Sequence, residues 1–277
     1  MPASAERRMF VLGHRGMLGH VVARYAAEAG WEVVTSAIRY GAGARDPLVE
    51  QVRESGASIV VNCLGLTKQR SDDRAALYMA NAVFPVQLAM RMQPTQYLVH
   101  ASTDCVFAGT RGDYRVDDEC DATDAYGFSK LLGEGVARLP HTTVLRVSVV
   151  GPDRGDGRGL LAWFLRQPPE APIPGYVNHR WNGITTLEWA TIAQAYAEQH
   201  IRGGFVPRVA QPGTDAITKY QLLCAFRDAF APARCVAAVE APETIDRTLA
   251  VTDKRPALGQ QLRRLAAWYP GARPAIP

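Results

Sequence analysis

Three glycines at a spacing of three residues, directly after a short apolar run, constrain the fold of this chain more than any other feature. Residues 9–12 are all apolar, which is typical of a buried first strand in a parallel sheet. Gly13, Gly16 and Gly19 follow this run. Apolar side chains then recur at helical spacing, at Leu18, Val21, Val22, Tyr25 and Ala26. This order of strand, glycine turn and helix predicts an α/β fold.

The same turn predicts a binding site for a dinucleotide. The N-terminus of a helix offers free backbone N–H groups and a positive dipole end, and both attract a pyrophosphate. We expect Gly13 to allow the tight turn, Gly16 the close approach of the phosphates, and Gly19 the packing of helix on strand. An ordinary glycine-containing turn without a ligand is the alternative, but the strand–helix context favours binding.

The residues after the second predicted strand, 32–37, indicate which dinucleotide is bound. Sites for the unphosphorylated cofactor usually have Asp or Glu at the end of this strand, and none is present here. Arg39 follows the strand instead, and Arg15 lies within the glycine turn. Guanidinium groups form charge-assisted hydrogen bonds with a 2′-phosphate, so we expect NADP(H). A solvated surface charge is the alternative interpretation of Arg39.

Strand and helix patterns alternate over the first 147 residues. Buried strands are predicted at residues 58–63, 96–101 and 142–150. A helix is predicted before the first of them, at residues 46–55, and another before the second, at residues 72–92. This alternation predicts a doubly wound parallel sheet of the Rossmann type. Such sheets bind cofactors at the carboxyl ends of their strands, where Gly65 would let the backbone come close to a ligand.

Two short motifs carry side chains that are suited to acid–base chemistry. Thr103 follows the fourth strand, at the carboxyl edge of the sheet, where its hydroxyl group could hold a carbonyl that is being reduced. Tyr126 and Lys130 lie four residues apart, on one face of the next predicted helix. A lysine beside a tyrosine favours the phenolate, so we expect Tyr126 to act as an acid or base near neutral pH.

Together these motifs resemble the extended short-chain dehydrogenase/reductase family. The resemblance is carried by the glycine turn, Asn62-Cys63, residues 102–107 (Ser-Thr-Asp-Cys-Val-Phe) and Tyr126-x-x-x-Lys130. Within the family the chain is most similar to the dTDP-4-dehydrorhamnose reductase-like branch, whose members reduce the 4-keto group of nucleotide-linked deoxysugars. Its Gly-His-Arg-Gly-Met turn also resembles that of GDP-fucose synthases, which use NADPH. The resemblance extends from residue 9 to about residue 150.

The resemblance implies roles for individual residues. Thr103, Tyr126 and Lys130 are implied as the catalytic residues, and the glycine turn with Arg15 as part of the cofactor site. The full set of predicted cofactor-binding residues is Gly13, Arg15, Gly16, Met17, Leu18, Arg39, Cys63, Leu64, Gly65, Tyr126 and Lys130. No metal is predicted, because the first helix lacks the acidic residues that some relatives use at a metal-bridged dimer.

Cys105, which we include among the substrate-binding candidates, leaves two interpretations open. Rhamnose reductases usually have tyrosine at this position, whereas GDP-fucose synthases have a cysteine that acts as an acid/base in epimerisation. Cys105 could therefore epimerise the sugar before reduction, provided that the pKa of its thiol is lowered. We favour the alternative of a small buried thiol, because the loop after Gly151 has no histidine to act as the partner acid.

The rest of the chain predicts a smaller C-terminal substrate-binding lobe. Residues 151–159 form a loop rich in turn residues, where we expect the chain to leave an NADP(H)-binding Rossmann domain of residues 1–150. About residues 183–210 are expected to rejoin that domain. Residues 151–182 and 211–277 then form the lobe.

Three residues of this lobe are further candidates for substrate binding. Arg180 and Trp181 could bind a diphosphate and a base or sugar ring, or they could equally pack the interface of the lobe. Arg247 is a second basic candidate for the diphosphate, with a solvated surface charge as the alternative.

Composition excludes several classes of function. The net charge of +4 is mild and the basic residues are scattered, so nucleic acid is not an expected partner. No apolar run approaches the length of a membrane-spanning helix, and neither a P-loop nor a Gly-x-Ser-x-Gly motif is present. The five cysteines include no Cys-x-x-Cys pair, which favours reduced thiols in a cytoplasmic protein. A homodimer is the commonest assembly among oligomers and is the expected one here.

The predicted function is therefore NADPH-dependent reduction of the 4-keto group of a nucleotide-linked 4-keto-6-deoxysugar. One alternative is a bifunctional 3- or 3,5-epimerase and 4-reductase that uses Cys105. A second alternative is a non-catalytic regulatory or binding subunit of the same fold. Thr103, Tyr126 and Lys130 speak against the second alternative, since binding alone would not need all three.

Overall fold

A six-stranded parallel sheet lies at the centre of the protein. The computed structural model describes residues 7–154, 157–168 and 170–269. Within these residues the strands are β1 (Arg8–Leu12), β2 (Glu32–Val34), β3 (Ile59–Asn62), β4 (Tyr97–Ala101), β5 (Thr142–Leu145), β6 (Val149–Val150), β7 (Ile173–Tyr176), β8 (His179–Trp181), β9 (Ile184–Thr185), β10 (Val209–Ala210), β11 (Pro212–Gly213), β12 (Ile217–Thr218), β13 (Val236–Val239), β14 (Ile245–Asp246) and β15 (Asp253–Lys254). The central sheet has the order β2-β1-β3-β4-β5-β10, with every neighbouring pair parallel.

Helices cover both faces of this sheet. The α-helices of the described residues are α1 (Gly19–Glu28), α2 (Pro47–Glu54), α3 (Arg74–Tyr78), α4 (Phe84–Arg91), α5 (Ala125–Gly133), α6 (Leu160–Leu165), α7 (Thr186–Ile201), α8 (Lys219–Phe230) and α9 (Leu258–Trp268). Successive side chains of a strand point to opposite faces of its sheet. Accordingly, Met9 and Val11 join an apolar cluster with α1 and α7, whereas Phe10 and Leu12 join another with α2 and α4. The predicted doubly wound α/β fold is therefore confirmed.

A second group of short strands follows in the chain. β7 pairs with β13, and β8 lies between β12 and β14. Phe164 of α6, Phe226 of α8 and Leu262 of α9 are buried in the same apolar cluster as Met9 of the central sheet. The helices of this part of the chain thus share one apolar core with one face of the sheet. The boundaries that we assign to the two domains stay a prediction.

Three elements differ from the predicted ones. The helix predicted at residues 72–92 is divided, because a π-helical turn at Met79–Val83 separates α3 from α4. The strand predicted at residues 142–150 consists of β5 and β6, and β6 pairs with β9 outside the central sheet. By contrast, the apolar residues between positions 205 and 210 predict a strand that returns to the sheet, and the sixth strand of the sheet, β10, does lie within this range. The sequence predicts a last helix that begins at Leu262 and gives way to a loose tail by residue 277. In the structure α9 begins earlier, at Leu258, and the tail lies largely outside the described residues.

Two further observations concern the chain as a whole. In the part of the chain that the structure describes, none of the helices is both long enough and apolar enough to cross a membrane. All five cysteines are free thiols.

Candidate active site

The glycine turn lies where the strand order of the sheet reverses. β1 and β3 are neighbours in the middle of the sheet, and the chain turns at Gly13 directly after β1. Gly13 has a φ of 74°, a conformation that glycine adopts at no steric cost. A β-carbon at Gly13 would also lie 2.8 Å from backbone atoms of Cys63 and Leu64. Glycine therefore lets the loops after β1 and β3 meet at a crevice of the kind in which open α/β sheets bind ligands.

The rest of the turn leaves the N-terminus of α1 open. No side chain caps α1, whose N-cap is Leu18, and its first turn contains no acidic residue. A β-carbon at Gly19 would lie 2.2 Å from the carbonyl oxygen of Gly13, so this position requires glycine. A β-carbon at Gly16 would touch only that same oxygen, at 3.3 Å. The Met17 sulfur lies 3.3 Å from where a β-carbon of Gly159 would be.

Positive charge gathers around this turn. Arg15 and Arg39 are both exposed. Burial lowers the pKa of His14, and the charges of Arg15 and Arg154 lower it further. The first acidic residue after β2 is Asp46, which is buried and accepts hydrogen bonds from the first turn of α2. No carboxylate of this loop is therefore free to bind a ribose 2′-hydroxyl group.

The segment of residues 63–66 connects the glycine turn to Lys130. The buried Asn81 side chain holds this segment, because it accepts a hydrogen bond from the Leu66 backbone N–H at 2.9 Å and donates one to the Leu66 carbonyl oxygen at 2.8 Å. A β-carbon at Gly65 would lie 3.0 Å from the Asn81 oxygen and 3.9 Å from Lys130 Nζ. Gly65 thus keeps the backbone close to both side chains.

Thr103 and Tyr126 meet at the carboxyl edge of the sheet. The Thr103 hydroxyl oxygen accepts a hydrogen bond from the Cys105 backbone N–H at 3.2 Å, which fixes the turn after β4. Tyr126 lies in the first turn of α5, which Asp124 caps by accepting a hydrogen bond from Gly127 N–H at 2.7 Å. The Thr103 hydroxyl donates a hydrogen bond to the Asp104 carboxylate at 3.1 Å. Thr103 also lies close enough to the Tyr126 phenol to lower the pKa of Tyr126, although less than burial raises it.

Burial shifts the pKa values of both Tyr126 and Lys130. Lys130 Nζ donates a hydrogen bond to the Ala101 carbonyl oxygen at 2.6 Å. Burial lowers the pKa of Lys130 to about 8, against opposing effects of Glu134 and Cys63. The pKa of Tyr126 is raised, first by burial and then by Cys105, and this is opposite in direction to our expectation. Burial takes the charged phenolate out of water and therefore disfavours it. This effect outweighs the stabilisation of the phenolate that we expected from the Lys130 ammonium.

A buried ion pair lies directly behind these groups. Arg146 and Glu134 are 2.6 Å apart, and their side chains are 5% and 6% exposed. The Ser102 hydroxyl donates a hydrogen bond to the Glu134 carboxylate at 2.6 Å, and Arg146 donates another to the Gln211 side-chain oxygen at 3.0 Å. The network joins the end of β4 to the chain directly after α5 and after β5.

The position of Cys105 does not lower the pKa of its thiol. The thiol donates to the Asp104 carboxylate at 3.6 Å. Burial, followed by the charge of Asp104, raises the pKa of Cys105 to about 12. The condition that we set for an acid/base role of this thiol is therefore not met in the structure.

The three substrate-binding candidates that follow the central strands in the chain differ in their surroundings. Arg180 is half exposed and forms an ion pair with Asp246 at 3.3 Å. Trp181 is 2% exposed and belongs to the large apolar cluster, so it takes part in packing, the second of its two interpretations. Arg247 Nε donates a hydrogen bond to the Phe107 carbonyl oxygen at 3.0 Å, close to the turn that carries Cys105. Contacts of these residues with a substrate stay predictions.

Sequence reasoning missed three residues of this region, Asn81, Glu134 and Lys219. A single amide in the apolar part of a helical segment was the only signal for Asn81. Glu134 and Lys219 owe their importance to partners distant in sequence, namely Arg146 for the first and Asp104 for the second.

Comparisons with known proteins agree with this geometry. A dTDP-4-dehydrorhamnose reductase of Mycolicibacterium smegmatis is 32% identical over 167 residues, which are 58% of this chain and 50% of that enzyme. The chain thus spans about half the length of this curated relative. The methionine adenosyltransferase 2 subunit beta of Danio rerio is 22% identical over 243 residues, 81% of this chain and 74% of that protein.

The fold has close structural counterparts. A crystal structure of dTDP-4-dehydrorhamnose reductase from Bacillus anthracis, in complex with NADP, matches with a TM-score of 0.78 and 16% identity, over 95% of this chain and 99% of that one. In addition, residues 7–169 match the family model of the RmlD substrate binding domain. This match covers more than half of the sequence and confirms the predicted resemblance, so the chain belongs to the RmlD substrate binding domain family.

Proposed function

We propose that the protein uses NADPH to reduce the 4-keto group of a nucleotide-linked 4-keto-6-deoxysugar. The observation that carries the proposal is the closeness of Thr103 to the Tyr126 phenol, at the edge of the sheet where residues 63–66 connect Lys130 to the glycine turn. The names of the M. smegmatis and B. anthracis relatives support the same reaction.

The glycine turn fits the pyrophosphate of a dinucleotide. The open N-terminus of α1 offers N–H groups and a positive dipole end, and a side chain at Gly16 would occupy the approach to them. Residues of the turn (Gly13, Arg15, Gly16, Met17 and Leu18), residues 63–65, and Lys130 would hold the cofactor. Once bound, the dihydronicotinamide would supply the hydride.

The preference for NADP(H) rests on the loop after β2. Arg15 and Arg39 are exposed cations beside the turn, and the acid nearest to β2 in this loop is committed to capping α2. Guanidinium groups bind phosphate in a planar, bidentate manner. The complex of the B. anthracis relative with NADP supports this choice.

Tyr126 supplies the proton in this proposal. Its raised pKa keeps the phenol protonated at neutral pH, as a group that donates a proton to a forming alkoxide must be. Thr103 orients the carbonyl oxygen beside the phenol. Lys130, held by the Ala101 carbonyl oxygen, presents its remaining N–H groups to the cofactor ribose and the phenol.

The two alternatives differ in their support. Epimerisation through Cys105 would need a thiolate, and a pKa of about 12 leaves almost none at neutral pH. A non-catalytic subunit remains the second candidate, because the D. rerio relative is named as a subunit and aligns with 81% of this chain. Turnover separates this candidate from the reductase.

The test is consumption of NADPH in the presence of dTDP-linked and UDP-linked 4-keto-6-deoxysugars. We expect turnover by the native protein and a fall in kcat of about 100-fold or more in Tyr126→Phe, because general acid catalysis contributes at least that much. The dissociation constant of NADPH should change much less than kcat in this variant. Tyr25→Phe, near the C-terminal end of α1, should behave as native. A native protein that binds NADPH but reduces no such sugar would contradict the proposal and favour the regulatory subunit.

A further inference from the structure

Lys219 lies near the turn after β4, although it follows that turn by more than a hundred residues in the chain. It is the first residue of α8, and Thr218 fixes that start with a capping box. Thr218 also pairs with Arg180 across β12 and β8, so the backbone at this position is held on both sides. Lys219 Nζ lies 5.6 Å from the centre of the Trp181 ring. The lysine side chain therefore lies beside the buried Trp181 ring. Its charge also interacts with that of Asp104, in the turn after β4.

The surroundings of Lys219 disfavour a positive charge. It occupies the N-terminal turn of a helix of 12 residues, where the dipole repels cations. Burial lowers the pKa of Lys219, Asp104 and Cys105 raise it, and the like charge of Arg247 lowers it again. Among the residues that the structure describes, Lys219 forms no ion pair or side-chain hydrogen bond. Violations of local electrostatic rules of this kind are expected at functional sites.

Arg247 approaches the same turn from a different loop. Its Nε is engaged by the Phe107 carbonyl oxygen, which fixes the plane of the guanidinium group. A glycine at position 109 makes room for it, because a β-carbon there would lie 2.6 Å from the Arg247 side chain. The charge of Arg247 also acts on Cys105, as does that of Lys68. Two cations from separate segments, Lys219 and Arg247, thus converge beside Cys105.

We propose that Lys219 and Arg247 together bind the diphosphate of the sugar nucleotide, at the phosphate that carries the sugar. This inference rests on the proposed function, in which the diphosphate is the only charged group of the substrate beside a neutral 4-keto-6-deoxysugar. A bound phosphate relieves the repulsion between the two cations and matches the positive end of α8. The nearness of both cations to Cys105, two residues after Thr103, assigns them to the phosphate closest to the reacting sugar.

Binding of nucleotides to the protein saturated with NADP⁺ tests this inference without turnover. Calorimetric titration with dTDP, UDP and the corresponding monophosphates should show that Lys219→Met raises the dissociation constant of the bound diphosphate about tenfold or more. The effect on the monophosphate should be smaller, because the monophosphate lacks the contacted group. Arg247→Met should act in the same direction, and Lys219→Arg should restore most of the affinity.

The matched control is Lys254→Met. Lys254 is an exposed lysine with an ion pair to Asp215, and its loss should leave nucleotide binding unchanged. The melting temperature of Lys219→Met should equal or exceed that of the native protein, because the substitution removes a charge from unfavourable surroundings. If Lys219→Met fails to fold, Lys219→Gln replaces it.

Three results would overturn the inference. They are native affinity for the diphosphate in Lys219→Met, equal effects on diphosphate and monophosphate, and no binding of either diphosphate to the native protein. Dependence of diphosphate binding on Lys219 in a protein without turnover would leave the binding site standing and would reject the proposed reaction alone.

Discussion

Lys130 is the residue of the site whose titration lies closest to physiological pH. Burial lowers its pKa to about 8, whereas burial raises the pKa values of Tyr126, Cys105 and Cys63. Below about pH 8 the side chain is an ammonium with three N–H donors, and one of them is used by the Ala101 carbonyl oxygen. Above that pH the amine loses its charge and one donor.

NADPH binding should therefore weaken as the pH rises through about 8, since the charged form of Lys130 would hold the cofactor at the proposed site. Fluorescence titration of the native protein should show a dissociation constant that increases across this range. Lys130→Met should bind NADPH more weakly and without this pH dependence. Lys254→Met, an exposed-lysine control, should keep the native profile. A pH dependence that persists in Lys130→Met would assign the titration to another group.

Local spacing was sufficient to find the residues that short motifs carry. The glycines of the turn, Thr103, Tyr126 and Lys130 are each defined within a segment of a few residues, and the structure brings these segments to one edge of the sheet. Lys219 could not be found in this way, because Asp104 and Cys105, whose charges act on it, lie more than a hundred residues away in the chain. The direction of the Tyr126 pKa shift was predicted wrongly, because burial cannot be read from sequence spacing.

Among the elements, the helical segment between β3 and β4 shows where a sequence pattern stops being informative. Its apolar spacing predicts one helix, and Pro85 predicts a new turn or a kink. In the structure Pro85 does lie at the start of α4, but a π-helical turn at Met79–Val83 precedes it. Asn81 lies within this turn, and its side chain forms two hydrogen bonds with the Leu66 backbone. A tertiary contact thus sets the local geometry.

The position of α5, which carries Tyr126 and Lys130, depends on Glu134 directly after it. Glu134 is bound by Arg146 at 2.6 Å and by the Ser102 hydroxyl at 2.6 Å, and both ionic side chains are nearly fully buried. A buried ion pair of this kind need not stabilise more than apolar residues would. Removal of one partner, however, leaves an uncompensated charge in the interior.

Glu134→Ala should lower the free energy of unfolding by about 3–5 kcal/mol, because it leaves Arg146 buried without its carboxylate. Urea denaturation followed by circular dichroism measures this change. Asp228→Ala removes a carboxylate that pairs with Arg227 on an exposed helix face, and it should cost less than about 1 kcal/mol. Equal losses in the two variants would show that the buried network does not hold α5.

At the scale of the whole molecule, the two parts of the chain differ in how far their sequences determine the fold. Buried strands of four or five residues alternate with helices in the first part, and this pattern predicts a parallel sheet. The strands after β5 have only two to four residues, which is too short for a periodic signal. Their positions follow from pairing with distant strands, such as β7 with β13.

The cofactor preference tests the whole arrangement, because it requires the turn, the loop after β2 and the crevice between β1 and β3 to act together. We expect the native protein to bind NADPH at least tenfold more tightly than NADH, since charge-assisted bonds to a 2′-phosphate contribute about 1.5–3 kcal/mol. Arg39→Ala and Arg15→Ala should each weaken NADPH binding while leaving NADH binding unchanged. Arg45→Ala is the control, because Arg45 is exposed at the far end of the same loop.

Each outcome of these fluorescence titrations has a distinct meaning. A preference for NADPH that collapses in either variant would support the assignment of the two guanidinium groups to the 2′-phosphate. Equal affinities of the native protein for NADPH and NADH would contradict that assignment but keep the reductase. Binding of neither cofactor would contradict the reductase itself. The crevice would then belong to the fold without binding a cofactor. Thr103, Tyr126 and Lys130 would have no hydride donor beside them, and a regulatory subunit would account best for the protein.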